Sequence, residues 1–191
     1  MAERRLVDST AHLPAPIVAI SGSLRGDSVN SAALRAAAAV AALDGVTVLI
    51  DDSPRALPHF NPDVESFPPE VVRRFRQVCA DAGGLLFAAP EYTFGIPGAF
   101  KNALDWLVGS GSLYGKPVAL LHVAHASRGA HVREALAHAL RAHNAEVTHH
   151  LVPIASRDRD ADGNVSDPRI VGELRKVVAA LAQRAGASRA A

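Results

Sequence analysis

Residues 17–30 read Ile17-Val-Ala-Ile-Ser-Gly-Ser-Leu-Arg-Gly-Asp-Ser-Val-Asn30, a short apolar run followed by small and polar residues. The run from Ile17 to Ser21 is short and apolar on both faces, which predicts a buried strand of a parallel sheet. An alanine-rich stretch without glycine or proline extends from Ser28 to Leu43 and predicts a helix. Residues 17–43 are therefore predicted to form a strand, a loop and a helix.

The same alternation repeats along the rest of the chain. Apolar runs and alanine- and leucine-rich stretches predict four more strands, at 46–50, 84–89, 118–123 and 146–151, and four more helices, at 70–82, 97–108, 130–142 and 167–184. This order is typical of one parallel sheet with helices on both faces. Ligands of such sheets bind outside the carboxyl ends of the strands, so the loops after strands one, three and four form the candidate site.

The composition limits the class of protein. The chain has 191 residues, with 20 basic against 19 acidic side chains, which is far from the charge of a dedicated nucleic-acid binder. We expect a single domain at 16–185, a flexible segment at 1–15 and a frayed tail at 186–191. No apolar run approaches membrane length and no signal core follows the first residues. The prediction is a cytoplasmic protein without nucleic-acid or membrane partners.

Cysteine, histidine and serine patterns indicate no further site. Cys79 is the single cysteine, so it can form no intramolecular disulfide and is expected to be a small buried hydrophobe. The nine histidines suggest a metal, but His149 and His150 are adjacent on a strand and point to opposite faces. Ser110 and Ser112 follow a helix, whereas a hydrolase nucleophile needs a strand-to-helix turn. We predict no metal site.

The loop after strand one is suited to a phosphate group. Small residues such as Gly22 allow backbone N–H groups to face a ligand, and the next helix contributes the positive end of its dipole. Four side chains suited to phosphate stand within eight positions: Ser23, Arg25, Ser28 and Asn30. The dinucleotide and nucleoside-triphosphate fingerprints do not occur in this loop. The loop therefore favours a site for one phosphomonoester. The alternative is that Ser28 only caps the helix and that Arg25 is a solvated loop residue.

The loop after strand three is the most specific stretch of the chain. It reads Pro90-Glu-Tyr-Thr-Phe-Gly-Ile-Pro97 and leads into a helix that ends near Val108. The two prolines fix the backbone, and a rigid loop in this place can aim N–H groups at the polar edge of a planar ring. Tyr92 and Phe94 are expected to cover the face of that ring. A stiff loop with buried aromatic residues is the alternative.

Together these motifs resemble the NADPH-dependent FMN reductase family. The resemblance rests on Gly22-Ser-Leu-Arg25 with Ser28 and Asn30, on Pro90-Glu-Tyr-Thr93 and on Pro97-Gly-x-x-Lys-Asn-Ala-x-Asp-Trp106. It implies a flavodoxin-like three-layer α/β sandwich with a five-stranded parallel sheet in the order 2-1-3-4-5. It also implies an enzyme that passes a hydride from NADPH to bound FMN and on to a quinone, a flavin or a similar small acceptor.

The resemblance places FMN contacts in three loops. They are Ser23, Arg25, Ser28, Val29 and Asn30 at the phosphate, Pro90, Glu91, Tyr92, Thr93 and Phe94 at the isoalloxazine, and Ser127 and Gly129 at its pyrimidine end. The chemistry belongs to the flavin, so no side chain is predicted as a catalytic acid or base. Arg128 and His131 depart from the small residues common at these positions of the family. Arg128 and His125 receive no role.

Several alternatives stay open in the sequence. A flavodoxin-type electron carrier reduced by another protein is the main alternative, and a fold that has lost its flavin is a third. The physiological acceptor and the choice between NADPH and NADH are undecided. The resemblance implies a homodimer, with a tetramer left open. Four motif residues are interpreted as structural residues of the helix at that contact: Lys101, Asn102, Asp105 and Trp106.

Overall fold

Five parallel strands form the central sheet, in the order β2-β1-β3-β4-β5. The structure is a computed structural model that describes residues 15–125 and 127–190. Strands and helices alternate along the chain: β1 Ile17–Ser21, α1 Val29–Leu43, β2 Val48–Asp51, α2 Glu70–Asp81, β3 Gly84–Ala88, α3 Gly98–Val108, β4 Pro117–His122, α4 Ala130–Ala142, β5 Glu146–Leu151 and α5 Pro168–Ala190. The predicted flavodoxin-like α/β fold and its strand order are confirmed.

Two apolar clusters hold the helices on the two faces of the sheet. Because successive strand residues point to opposite faces, Ile17 and Ala19 face α1 and α5, whereas Val18 and Ile20 face α2, α3 and α4. Strands β1, β3 and β4 are buried along their whole length. This explains why their sequences are continuous apolar runs. Burial of one large side chain such as Phe75 contributes about 2–3 kcal/mol.

The single cysteine belongs to the core. Cys79 of α2 is fully buried, and this burial raises the pKa of its thiol to about 12. The nucleophilic thiolate form is therefore scarce at neutral pH. The interpretation of Cys79 as a small hydrophobe is confirmed.

Helix α5 ends later than the sequence pattern predicted. It continues through Ala190, whereas we expected an end at Arg184 and a frayed tail at 186–191. The described residues after Gly186 include two alanines and one arginine, which are strong helix formers, and the helix continues through them. Of the flexible segment expected at 1–15, all but Ala15 lies outside the described residues. Among the described helices, α5 included, none is long and apolar enough to cross a membrane.

Helix α3 anchors the long loop that follows β2. The Asn102 side chain accepts the Phe60 N–H at 2.7 Å and donates its amide to the Pro58 carbonyl at 2.9 Å. Trp106 is fully buried, donates Nε1–H to the same carbonyl at 2.8 Å and meets the Phe60 ring edge-on. Asn102 and Trp106 are therefore structural residues, as their motif predicted.

Candidate functional site

A cleft of about 640 Å³ lies at the carboxyl end of the sheet. The first turn of α1, the loop after β3 and the loop between β4 and α4 form its walls. Seven of the residues predicted as ligand contacts line it: Val29, Asn30, Pro90, Glu91, Phe94, Ser127 and Gly129. Three loops that are far apart in sequence therefore meet at the edge where parallel sheets bind their ligands.

The first turn of α1 offers unused hydrogen-bonding groups. Ser28 precedes the helix and makes no capping hydrogen bond, and the N–H groups of Val29, Asn30 and Ser31 have no acceptor among the described residues. The Asn30 Oδ1 atom is buried and has no partner within the described part of the chain. A buried polar atom without a partner costs about 1–3 kcal/mol. This end of the cleft is therefore suited to a ligand with both acceptor and donor groups.

Other residues of the same loop do not line the cleft. The buried Ser23 uses its hydroxyl to accept the Arg25 N–H at 3.3 Å, and the Arg25 side chain is 74% exposed and pairs with Asp27 at 3.8 Å. The N–H of Gly22 is already bonded to a β3 carbonyl, and a Cβ there would lie 2.6 Å from the Ala89 Cβ. Gly22 is thus required by close packing of strand ends, and its N–H is not available to a ligand.

The loop after β3 contains a tight turn in a strained conformation. Tyr92 and Gly95 exchange two backbone hydrogen bonds, and the residues between them have positive φ, 49° at Thr93 and 57° at Phe94. Non-glycine residues rarely adopt this conformation, and each such residue costs about 1–3 kcal/mol. The N–H groups of Thr93 and Phe94 have no acceptor among the described residues. Strain of this kind is concentrated at binding sites because the surrounding structure must enforce it.

Of the two aromatic residues expected to cover a ring, only Phe94 lines the cleft. Its ring is exposed and meets the ring of His131 edge-on, with centroids 5.1 Å apart. Tyr92 and Thr93 are exposed at the turn but are not part of the lining. The structure therefore pairs Phe94 with a residue of α4 at one wall of the cleft.

Glu91 connects the two walls formed by the loops after β3 and β4. Its Oε2 atom accepts the Val132 N–H in the first turn of α4 at 3.0 Å. The free N–H groups and the dipole of a helix N-terminus stabilise a carboxylate in this position. The sequence suggested only a backbone role for Glu91, whereas its side chain caps a helix.

Short-range contacts shape the loop between β4 and α4. The Ser127 hydroxyl lies 2.9 Å from Nδ1 of His125, which gives His125 a role in orienting Ser127. Gly129 precedes α4 with a φ of 76°, a left-handed conformation that glycine adopts without steric cost. Both predicted residues of this loop, Ser127 and Gly129, border the cleft.

Basic side chains from the end of β4, from the loop after it and from α4 also line the cleft, in addition to the predicted contacts. They are His122, Arg128, His131 and Arg133. Arg133 is half-buried and donates Nη1–H to the Arg128 carbonyl at 2.7 Å. Of these four, the sequence signalled Arg128 and His131 as departures from a family pattern. The sequence singled out His122 only together with His125, as a pair of nearby histidines for a metal site that we do not expect.

His122 lies at the end of β4 and is bonded to a histidine of the neighbouring strand. It is only 6% exposed, and its Nε2 atom lies 3.1 Å from Nδ1 of His149, with the two rings stacked. Burial, and next the nearby His149 and Arg133, lower the pKa of His122 to about 4. Burial and Arg133 also lower the pKa of the exposed His149. Both rings are therefore neutral at pH 7.

Comparison with known proteins gives one consistent family. The family described as NADPH-dependent FMN reductase matches residues 15–159. An NAD(P)H-dependent FMN reductase of Pseudomonas aeruginosa is 35% identical over 162 residues, which cover 80% of this chain and 85% of that protein. A 2-hydroxy-1,4-benzoquinone reductase of a Burkholderia species is 42% identical over 108 residues, which cover 55% of this chain and 58% of that protein. The match to the Burkholderia protein thus spans less than two thirds of its length.

A solved structure shows the same architecture over almost the whole chain. The flavoenzyme NAD(P)H:(acceptor) oxidoreductase of Paracoccus denitrificans superposes with a TM-score of 0.74 at 26% sequence identity. The superposition covers 91% of this chain and 98% of that chain. Sequence, fold and cleft agree, and the chain belongs to the NADPH-dependent FMN reductase family.

Proposed function

We propose that FMN binds in the cleft described above and that a quinone or a similar small molecule receives its electrons. By family, the chain is an FMN-dependent NAD(P)H oxidoreductase. The observation that supports the location of FMN is the buried, unpartnered Asn30 Oδ1 beside the uncapped start of α1. The structure therefore contains a polar group whose burial is explained by a bound ligand.

The phosphate end of FMN fits the first turn of α1. Phosphate oxygens would accept hydrogen bonds from the N–H groups of Val29, Asn30 and Ser31 at the positive end of the helix dipole. The Asn30 Oδ1 atom needs a donor, and the hydroxyl groups of the ribityl chain supply one. Arg25 is exposed outside the cleft, and its contribution to phosphate binding stays a prediction.

The two loops on the opposite side fit the flavin ring. The free N–H groups of Thr93 and Phe94 suit ring carbonyl and nitrogen acceptors, and the strained turn holds these groups in place. Bound FMN supplies the redox chemistry by accepting a hydride from a nicotinamide and returning two electrons to an acceptor. Arg128 and Arg133 would stabilise the negative charge that develops in the cleft.

A small-molecule acceptor agrees with both the relatives and the cleft. The two named relatives are reductases of FMN and of a hydroxybenzoquinone. A volume of about 640 Å³ lies within the range of pockets that hold small organic ligands. These observations favour an enzyme over the alternative of an electron carrier reduced by another protein.

Three finer properties are further proposals. A homodimer agrees with the family resemblance, and α3 carries an exposed ion pair between Lys101 and Asp105 on the helix where we expect the contact. A tetramer stays open. NADPH is the expected reductant because the family is defined by it, with NADH as the alternative. A cytoplasmic location stays a prediction from the sequence.

The visible spectrum of the purified protein with FMN tests the proposed function. The spectrum is recorded before and after anaerobic addition of NADPH. Bound flavin that bleaches supports an NADPH-dependent reductase. Bound flavin that stays yellow favours the electron carrier, and no binding at all contradicts the assignment of the cleft.

A charge-matched pair of variants tests the phosphate end. Arg25→Ala is expected to weaken FMN binding at least about tenfold, because a guanidinium near a phosphate contributes charge-assisted interactions. Arg73→Ala is the control, since Arg73 pairs with Glu70 on the surface of α2. Fluorescence titration measures both affinities. Equal affinities for the two variants would remove Arg25 from the phosphate site.

A further inference from the structure

His122 and His149 connect the interior of the cleft with the outer edge of the sheet. His122 is buried and lines the cleft. His149 is exposed on β5, which is an edge strand of the sheet. A hydrogen bond of 3.1 Å between their ring nitrogens links the cleft-lining ring of His122 to the solvent-exposed ring of His149. Together the two rings form a continuous path of exchangeable protons from water to the cleft.

Burial is the main reason that both rings stay neutral, and the groups around the pair add to it. Arg133 of α4 acts on both rings, and His150 of β5 acts on His122. Glu91, the acidic side chain among the described residues of the cleft lining, is bonded to the Val132 N–H at the start of α4. A neutral imidazole has one N–H donor and one acceptor nitrogen. Each ring can therefore take up a proton on one nitrogen while it releases the proton on the other.

Reduction of a quinone by hydride transfer also requires one proton from a separate donor. A quinone that accepts a hydride gains two electrons and one proton and becomes a hydroquinone monoanion. One further proton on the second oxygen completes the hydroquinone. The overall balance is NADPH plus quinone plus one proton, which gives NADP⁺ plus hydroquinone. That proton must reach the oxygen of an acceptor that lies in the cleft.

We propose that His122 donates this proton to the reduced acceptor in the cleft and that His149 replaces it from solvent. In this step the hydroquinone oxygen takes the proton from one nitrogen of His122, while the other nitrogen of His122 receives a proton from His149 Nδ1. In the same step Nε2 of His149 takes up a proton from solvent, so each ring gains one proton as it loses another and both stay neutral. The inference rests on the proposed function, since it requires reduced FMN as the source of the hydride.

His122 is the one polar side chain of β4. All other side chains of β4 are apolar and fully buried. An apolar residue at position 122 would avoid the cost of removing an imidazole from water. The neighbouring Arg133 makes a positive charge on His122 still less favourable, so the ring passes protons without holding one.

The test compares acceptors that need a proton with acceptors that do not. Reduced, FMN-loaded protein is mixed in a stopped-flow instrument with 1,4-benzoquinone or with ferricyanide, which takes up electrons only. His149→Phe and His122→Leu are expected to slow reoxidation by benzoquinone at least about tenfold. In His149→Phe, whose side chain is not part of the cleft lining, reoxidation by ferricyanide and bleaching by NADPH are expected to stay within about twofold. His138→Phe, at an exposed position of α4, is the control and should change neither rate.

A second measurement does not depend on activity. Nitrogen NMR of the flavin-free protein follows the rings of His122 and His149, and a shared N–H between Nε2 and Nδ1 is expected in the unmodified protein. His149→Phe should abolish that signal. A kinetic companion to it is the solvent deuterium isotope effect on benzoquinone reoxidation, which should fall in the same variant.

The outcomes separate the proton path from the proposed function. Equal slowing with both acceptors, or unchanged rates with both, would overturn the proton path. Absence of bleaching by NADPH would instead contradict the proposed function. In that case FMN is reduced with dithionite and the same comparison of acceptors still decides the role of the two histidines.

Discussion

Asn30 and His122 are polar side chains that the fold buries at the cleft, each at a cost that an apolar residue would avoid. Asn30 follows the loop after β1, and its Oδ1 has no partner among the described residues. His122 ends β4, and its only hydrogen-bond partner in the described chain is His149. Such groups are typical of binding sites because selection for function tolerates their energetic cost.

Replacement of Asn30 should change stability and binding in opposite directions. Asn30→Ala removes the unpartnered Oδ1, so the free energy of unfolding of the flavin-free protein should rise by about 1 kcal/mol. FMN affinity should fall about tenfold, because the ligand loses a hydrogen-bond partner. Chemical denaturation and fluorescence titration measure the two effects. Ser31→Ala is the control: its hydroxyl bonds Ser21 at 2.9 Å, so this variant should lose stability and keep its affinity.

The lowered pKa of His122 predicts a specific dependence of stability on pH. Its pKa is about 4 in the folded chain against an ordinary value of 6.5. Between these two values the unfolded chain binds more protons than the folded chain. The contribution of neutral His122 to the free energy of unfolding is therefore full above about pH 6.5 and is lost as the pH falls toward 4. In His122→Gln the free energy of unfolding should decrease less over this pH range, by on the order of 2 kcal/mol. Urea denaturation at a series of pH values checks it, and parallel curves for both proteins would contradict it.

Glu91 matters at the scale of the elements because it joins two loops that flank the same cleft. The carboxylate belongs to the loop after β3 and caps α4, 41 positions further along the chain. The loop after β3 is itself strained at Thr93 and Phe94, so it needs external contacts to keep its conformation. Helix α4 supplies such contacts through the Val132 N–H and the His131 ring.

Loss of the Glu91 carboxylate should loosen both loops. Glu91→Ala is expected to lower the free energy of unfolding by about 1 kcal/mol, as for other lost helix caps, and to weaken FMN binding severalfold. Glu173→Ala is the control, since Glu173 forms an exposed pair with Lys176 on α5 and should change stability by less than about 0.5 kcal/mol. Thermal unfolding with and without FMN gives both quantities. Identical behaviour of the two variants would contradict the cap.

At the scale of the whole molecule, Trp106 connects α3, the loop after β2 and α2. It is fully buried, donates to the Pro58 carbonyl and contacts the Phe60 ring. The Arg76 guanidinium of α2 lies 5.7 Å from the centre of its ring. These contacts hold a long irregular loop against the helical layer on the α3 face of the sheet.

Replacement of this tryptophan should therefore destabilise the entire fold. Trp106→Phe removes a hydrogen bond and leaves a cavity, which should lower the free energy of unfolding by about 2–3 kcal/mol. Phe67→Ala is the control, because Phe67 is 90% exposed and should cost less than about 0.5 kcal/mol. Circular dichroism follows unfolding of both, since the chain has one tryptophan. A loss below 0.5 kcal/mol in Trp106→Phe would contradict the anchoring role.

Much of the architecture follows from local sequence pattern. Buried parallel strands must be short apolar runs, and helices of this length need alanine- and leucine-rich stretches, so β1 and α1 were recognisable from residues 17–43 alone. The helix propensity of the last residues was underestimated, and α5 extends further than expected. The position of the cleft followed as well, because crossover connections place the loops after parallel strands at one edge.

The sequence by itself determined the fold, the family motifs and the edge of the sheet where the candidate site lies. Only the tertiary structure decided which side chains meet there: that Asn30 lacks a partner, that Glu91 caps α4, and that His122 bonds His149. Pattern and propensity act over a few residues, which fixes elements and their order. The contact between the His122 and His149 side chains spans 27 positions, and that between the Glu91 side chain and the Val132 N–H spans 41. Both depend on strand register and helix placement, which exist only after the chain has folded.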